Sequence, residues 1–156
     1  MKIDKKLLAK CIALPLLVGG VAALLTSGNM KLFEMVEKPP LSPPGWLFPV
    51  AWTILYTLMG VASYLMLTGE ATKVEKSKAL SIYIYQLVVN FLWPTFFFNF
   101  QWFFFSFLWL VLLWVLIVVT IIRFYRISKP AGWLLIPYLV WVTFAGYLNF
   151  GIWLLN

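Results

Sequence analysis

The stretch FFFSFLWLVLLWVLIVVTII, Phe103 to Ile122, runs for twenty residues without a charged side chain. At about 1.5 Å per residue, a helix of this length covers roughly 30 Å, the thickness of a bilayer's hydrocarbon core. Between Phe107 and Val119 its only polar groups are indole N–H. Such a helix is expected to face lipid all round or to form a contact with another copy. Similar runs recur along the whole chain of 156 residues, which is 63% hydrophobic and 11% charged. A soluble domain of this length would expose far more polar surface. No segment shows the strict alternation of a membrane β-barrel. The sequence therefore predicts an all-α membrane protein, a single bundle of five transmembrane helices.

The spans fall at about 7–26, 46–67, 79–100, 103–122 and 132–155, with a lid loop at 28–45 between the first two. The first span has the lysine-rich start of a signal peptide. Its apolar run is long for one and no small-x-small cleavage site follows, so it is read as a retained helix. With five spans, the N-terminus shares a side with the second and fourth loops. That side holds ten of the twelve cations: Lys2, Lys5, Lys6, Lys10, Lys73, Lys76, Lys78, Arg123, Arg126 and Lys129. The other holds Lys31 and Lys38. The positive-inside rule then puts the N-terminus in the cytoplasm and the C-terminus outside, in a bacterial cell membrane. The formal charge of +7 is thus a topology signal and not a nucleic-acid footprint. Trp46, Trp102, Trp133 and Trp153 lie near span ends and read as an interfacial belt.

Past Lys10, in the opening turn, no Asp, Glu, Lys, Arg or His lies within a span. Proton relays and ion-coupled carriers place such groups there. Hydrolysis would need an acid–base pair. Histidine is missing altogether, so no metal site is expected, and the single cysteine, Cys11, allows no intrachain disulfide.

What the spans do carry is uncharged and aromatic. Tyr83, Gln86, Asn90, Trp93 and Phe97 follow a 3-4-3-4 spacing and share one helix face. Pro49, Trp52, Tyr56 and Gly60, with Ser63 below, line a face of the second span. Pro137, Trp141, Ala145 and Leu148 line a face of the fifth. Gln86 and Asn90 serve either to join helices or to meet a ligand. Convergence of Trp52, Trp93 and Trp141 would sandwich a flat aromatic molecule. Trp52 and Trp93 lie roughly 9 Å below the outer edge at helical rise, with Trp141 deeper, near the middle. Above them, EKPPLSPPGWLFPVAW (Glu37 to Trp52) holds five prolines. These suit either a pre-shaped lid or simply a sharp helix start at Pro43-Pro44. Pro49 and Pro94 are expected to kink their helices. Gly19 and Ala23 form a small-xxx-small pair, a candidate for self-association together with the fourth span.

KPPLSPPGW, AWTILYTLMG (Ala51 to Gly60), QLVVNFLWP (Gln86 to Pro94) and LLIPYLVWVTFA (Leu134 to Ala145) together resemble the translocator protein, or tryptophan-rich sensory protein, family over nearly the whole chain. The resemblance implies a five-helix bundle, commonly a homodimer. It implies binding of porphyrins such as protoporphyrin IX, and of benzodiazepine-type ligands, under the first loop, with no permanently bound cofactor. It also implies, as an alternative, light- and oxygen-dependent degradation of protoporphyrin IX, with Trp52 and Trp141 as the catalytic pair. The implied ligand-binding set is Pro44, Trp52, Tyr56, Gln86, Asn90, Trp93, Trp141, Ala145 and Leu148. Leu41 and Gly146 stand where many members carry larger residues, so a roomier pocket floor is expected at Gly146. Phe150 replaces the tyrosine of the animal sterol motif and no basic residue follows, which counts against cholesterol. Val119, Tyr125 and Lys129 fit only the loose form of that pattern.

Overall fold

Two of the long helices begin where the sequence supplies a side-chain cap. Asp4 Oδ1 accepts the N–H of Leu7 (3.1 Å) and opens α1, Lys5–Thr26. Thr72 Oγ1 accepts the N–H of Glu75 (3.1 Å), a Thr-x-x-Glu box that opens α4, Lys73–Pro94. The computed structural model describes residues 2–156, and among these every regular element is helical. The others are α2 (Leu32–Met35), α3 (Leu47–Leu67), α5 (Phe103–Ile127), α6 (Lys129–Leu134) and α7 (Ile136–Leu155). Five helical bodies are long and apolar enough to cross a membrane: Lys5–Asn29, Leu47–Leu67, Lys73–Asn99, Phe103–Ile127 and Lys129–Leu155. The fold class is the expected one.

The boundaries differ from expectation where local chemistry outweighs hydropathy. The charged segment 69–78 is mostly the first turns of α4, because the Thr72 box starts the helix early. The basic segment after Ile122 is also largely helical, and α5 carries Arg123 and Arg126 to its end at Ile127. The fifth body breaks at Leu135, where Pro137 sits in the first turn of α7 with no N–H to donate. Pro49 likewise falls in the first turn of α3, where donors are free anyway, and it is exposed. It does not kink a helix interior. Pro94 does mark a change. It removes the donor for the Asn90 carbonyl, and the chain widens into a π-helical turn over Thr95–Asn99.

Around the bundle, α1 packs on α3 and α4, α4 on α5, and α5 on α6 and α7, with α6 closing against α3. Far from facing lipid all round, α5 buries Ser106, Leu110, Leu113, Ile117, Thr120 and Phe124 on one stripe. Its exposed face carries Leu108, Leu112 and Val115. A uniformly apolar sequence holds no mark that separates those two faces. The α1–α3 seam rests on Gly60, where an added Cβ would press on Ile12 Cα and lie 2.7 Å from the Cys11 carbonyl oxygen. Gly19 lies under the Tyr56 ring, so one half of the small-residue pair is consumed inside the chain while Ala23 stays exposed.

The lid is fastened to the C-terminal end of α7. Pro39 packs on Gly151, whose missing side chain leaves the space for it. Tyr147 Oη donates to the Pro40 carbonyl (2.7 Å). The Glu37 N–H donates to Asn156 Oδ1 (3.1 Å) while Asn156 Nδ2 returns a bond to the Glu37 carbonyl (2.9 Å). Phe33, on α2, is buried with Phe97 and Ile152 and meets the Phe48 ring edge-on at 4.9 Å.

Filling the α1–α3 contact tests this packing. Gly60→Val should destabilise the protein by about 1–3 kcal/mol, the usual effect of overpacking a tight seam. Gly20→Ala, where nothing lies within 4 Å, should leave the melting temperature in detergent unchanged or raise it slightly.

Candidate functional site

Three helices put polar side chains into the centre of the bundle, and four of these side chains are joined by bonds between helices. Tyr56 Oη on α3 donates to Asn90 Oδ1 on α4 (2.7 Å). Asn90 Nδ2 donates to Tyr138 Oη on α7 (2.7 Å), which donates to Gln86 Oε1 one turn along α4 (2.6 Å). All four side chains are buried. Amides and hydroxyls have no water to turn to at this depth, so the bonds hold α3, α4 and α7 in one register.

Rings lie against this polar line. Trp52 stacks on Tyr56 at 5.4 Å and 28° and meets Tyr138 edge-on at 6.2 Å. Trp52 and Trp141 meet at 6.5 Å, almost perpendicular at 89°. Phe48 touches Trp141 from the other side at 5.8 Å. Helices α3 and α7 therefore meet through these rings and not through close backbones. Both indoles are half-buried, and Trp141 Nε1 is enclosed without a hydrogen-bond partner.

Trp141 is not deeper than Trp52, as helical rise alone suggests. Phe48, in the first turn of α3, already reaches it, so α3 starts low in the bundle and the lid fills the space above. Ala145 and Leu148 are buried on the same flank of α7 as Trp141. Trp93 does not join the pair. Its Nε1 donates to Asn149 Oδ1 (3.0 Å) and its ring stacks on Phe97 at 5.0 Å, in the cluster beneath α2. Pro44 is exposed and starts α3, its carbonyl accepting the Leu47 N–H (3.1 Å). Pro137 is exposed as well. The inward face of α7 is centred one residue on, through Tyr138, Val142, Ala145, Asn149 and Ile152. Gly146 faces outward into a groove between α5 and α7, so it does not enlarge the site's floor.

Tyr138, Asn149 and Phe48 are the site residues that sequence reasoning missed. For Tyr138 the signal was the 4-3-4-3 series it opens, which the neighbouring proline obscured. Among the described residues no group of three His, Cys, Asp or Glu side chains could hold a metal. The site offers ring faces and N–H and O–H donors. A cation near it is Lys38, whose Nζ donates to the Val36 carbonyl (3.3 Å) and stands 5.0 Å from the Phe33 ring.

Tyr138→Phe leaves Asn90 Nδ2 and Gln86 Oε1 unpaired together. It should lower stability by about 1–3 kcal/mol, two interhelical bonds at membrane values. Adding Asn90→Leu should cost much less than in the wild type, a non-additivity that thermal melts of the single and double variants would reveal.

Residues 11–154 match the model of the TspO/MBR family. The chain is 42% identical over 150 residues to the tryptophan-rich protein TspO of Chlorobaculum tepidum, covering 96% of this chain and 95% of that one. It is 37% identical over 139 residues to protein CrtK of Rhodobacter capsulatus, covering 88% and 85%. It is 35% identical over 143 residues to the translocator protein of Bos taurus, covering 90% and 84%. Sequence, five membrane-length helices and the tryptophan-bearing bundle lead to one assignment: the chain is an integral membrane protein that belongs to the TspO/MBR family.

Proposed function

We propose that the chain is a membrane receptor or carrier for porphyrins such as protoporphyrin IX and for benzodiazepine-type ligands. The site is the ring-lined seam between α3 and α7, beneath the lid. The observation that carries this reading is the Trp52–Trp141 pair, edge to face at 6.5 Å where close backbone packing does not close the seam. Parting the two indoles exposes ring surface from two helices to one flat molecule, over the Tyr56–Asn90–Tyr138–Gln86 floor. Trp141 Nε1 has no partner to give up and so donates to an acceptor on the ligand. Lys38 suits a carboxylate at the mouth. Entry proceeds past the lid, whose polar fasteners at Glu37, Pro40 and Asn156 are exposed, so water replaces them when they open. With no histidine to ligate haem iron, the metal-free porphyrin is preferred.

A second reading draws on the same ring pair. Two indoles touching one macrocycle can each give an electron to a photo-excited porphyrin, with oxygen as the terminal oxidant, which leads to degradation. The homodimer implied by the family, and an N-terminus in the cytoplasm, complete the proposal. The second rests on charge: ten cations against three acids (Asp4, Glu70, Glu75) at one end, and two against two (Glu34, Glu37) at the other.

Protoporphyrin IX should quench the wild-type tryptophan fluorescence saturably. A Trp52→Phe/Trp141→Phe variant should bind about tenfold more weakly, the loss of well-placed ring contacts. Undiminished affinity in that variant, or tighter binding of haem than of the free porphyrin, would overturn the site. Under aerobic light, porphyrin loss that vanishes in the double variant supports degradation, and loss that persists assigns it to bleaching in bulk.

A further inference from the structure

At the cation-rich end of the bundle, the break at Leu135 opens a groove between the last turns of α5 and the α6–α7 corner. Its volume is about 360 Å³. The wall is Ile121, Ile122 and Ile136, and the rim is Tyr125, Trp133 and Arg126. Trp133 is 65% exposed and Tyr125 42%, and the two rings meet edge-on at 6.5 Å. Tyr125 is held against α6 by Gly132, where a Cβ would lie 2.7 Å from the Tyr125 Cβ. Lys129, also exposed, starts α6 three residues after Arg126.

We propose that this groove is a binding site for one anionic phospholipid. An acyl chain lies along the isoleucine wall, and the phosphate-bearing headgroup sits between Arg126 and Lys129. The groove is apolar along the spans, turns amphipathic at Tyr125 and Trp133, and is cationic where the helices end. A phospholipid has the same sequence of chemistry along its length, and paired tyrosine and tryptophan rings favour the headgroup level of a bilayer. Basic grooves between transmembrane helices are suited to anionic headgroups. A soluble anion would have no use for the apolar wall, and a neutral lipid none for the two cations. The surplus of seven positive charges at this end selects for negative lipid before the groove is reached. Helix α6 packs on α3, and α7 follows it directly, so the bound lipid would brace the corner from which Tyr138 enters the core.

The test uses the whole protein in a mild detergent, with phosphatidylglycerol, phosphatidylethanolamine and cholesterol added separately. Lipid retained per protein is counted by native mass spectrometry, alongside thermal melts. Phosphatidylglycerol should be retained at one molecule per chain and raise the melting temperature more than phosphatidylethanolamine does. Arg126→Gln/Lys129→Gln should bind it about thirtyfold more weakly, the effect of two surface cations. Ile122→Trp, which fills the wall without changing charge, should also lose retention. Lys73→Gln/Lys76→Gln, equal in charge change but on another helix, should keep it. Equal retention of the two phospholipids, equal loss in the Lys73/Lys76 variant, or preferential retention of cholesterol would each overturn the proposal.

Discussion

A hydrogen bond inside hydrocarbon has no competitor, and the bundle is arranged around that fact. Tyr56, Asn90, Tyr138 and Gln86 form one directed run of three hydrogen bonds, each crossing from one helix to a neighbour. Slide α4 by half a turn and its two amides no longer face the hydroxyls of Tyr56 and Tyr138, with no water to replace them. Shape alone would not be so selective, because the aliphatic surfaces around the run tolerate small shifts. The run therefore fixes the register of α3, α4 and α7, and with it the relative height of every ring attached to those helices.

The rings then do what close-packed backbones do elsewhere in the bundle. The α1–α3 seam closes through Gly60, a contact that admits no side chain at all. The α3–α7 seam is wide and closes through Phe48, Trp52 and Trp141. Indoles can turn aside, whereas a glycine contact cannot part without moving a helix. The asymmetry leaves one side of α3 free for the proposed site and puts a structural joint on the other. The lid follows the same division of labour. Its apolar anchors, Phe33 and Pro39, are buried, while its polar fasteners sit at the surface where they exchange readily with water.

The two ends of the molecule are built for different surroundings. The lid end carries a balanced set of charges and tucks Lys38 over a phenyl ring. The opposite end carries the whole surplus of positive charge, spread over the start of α1, the capped start of α4 and the α5–α6 corner. Because α4 and α5 extend as helices into what reads as loop, those cations stand on rigid rods and not on loose turns. Their spacing is a property of the fold, which is what turns a general basic surface into a shaped groove at Arg126.

Much of this was legible in the residues. Apolar runs of bilayer length leave a helix as the only way to satisfy the backbone, so five spans follow from composition and length. The 3-4-3-4 spacing on α4 put Gln86, Asn90 and Trp93 on one face, and so they lie. Spacing along one helix could not say which neighbour each residue meets. Trp93 turned to Asn149 and Phe97, Tyr138 displaced Pro137 from the inward face of α7, and α5 proved to be a central strut although its sequence is nearly featureless. Hydropathy and periodicity are properties of single segments, and they determined how many membrane-length helical bodies there are and which flank of several is polar. Which indoles touch, how high α3 begins and where glycine lets two backbones close depend on three helices fitting at once, and only the packed bundle decided them.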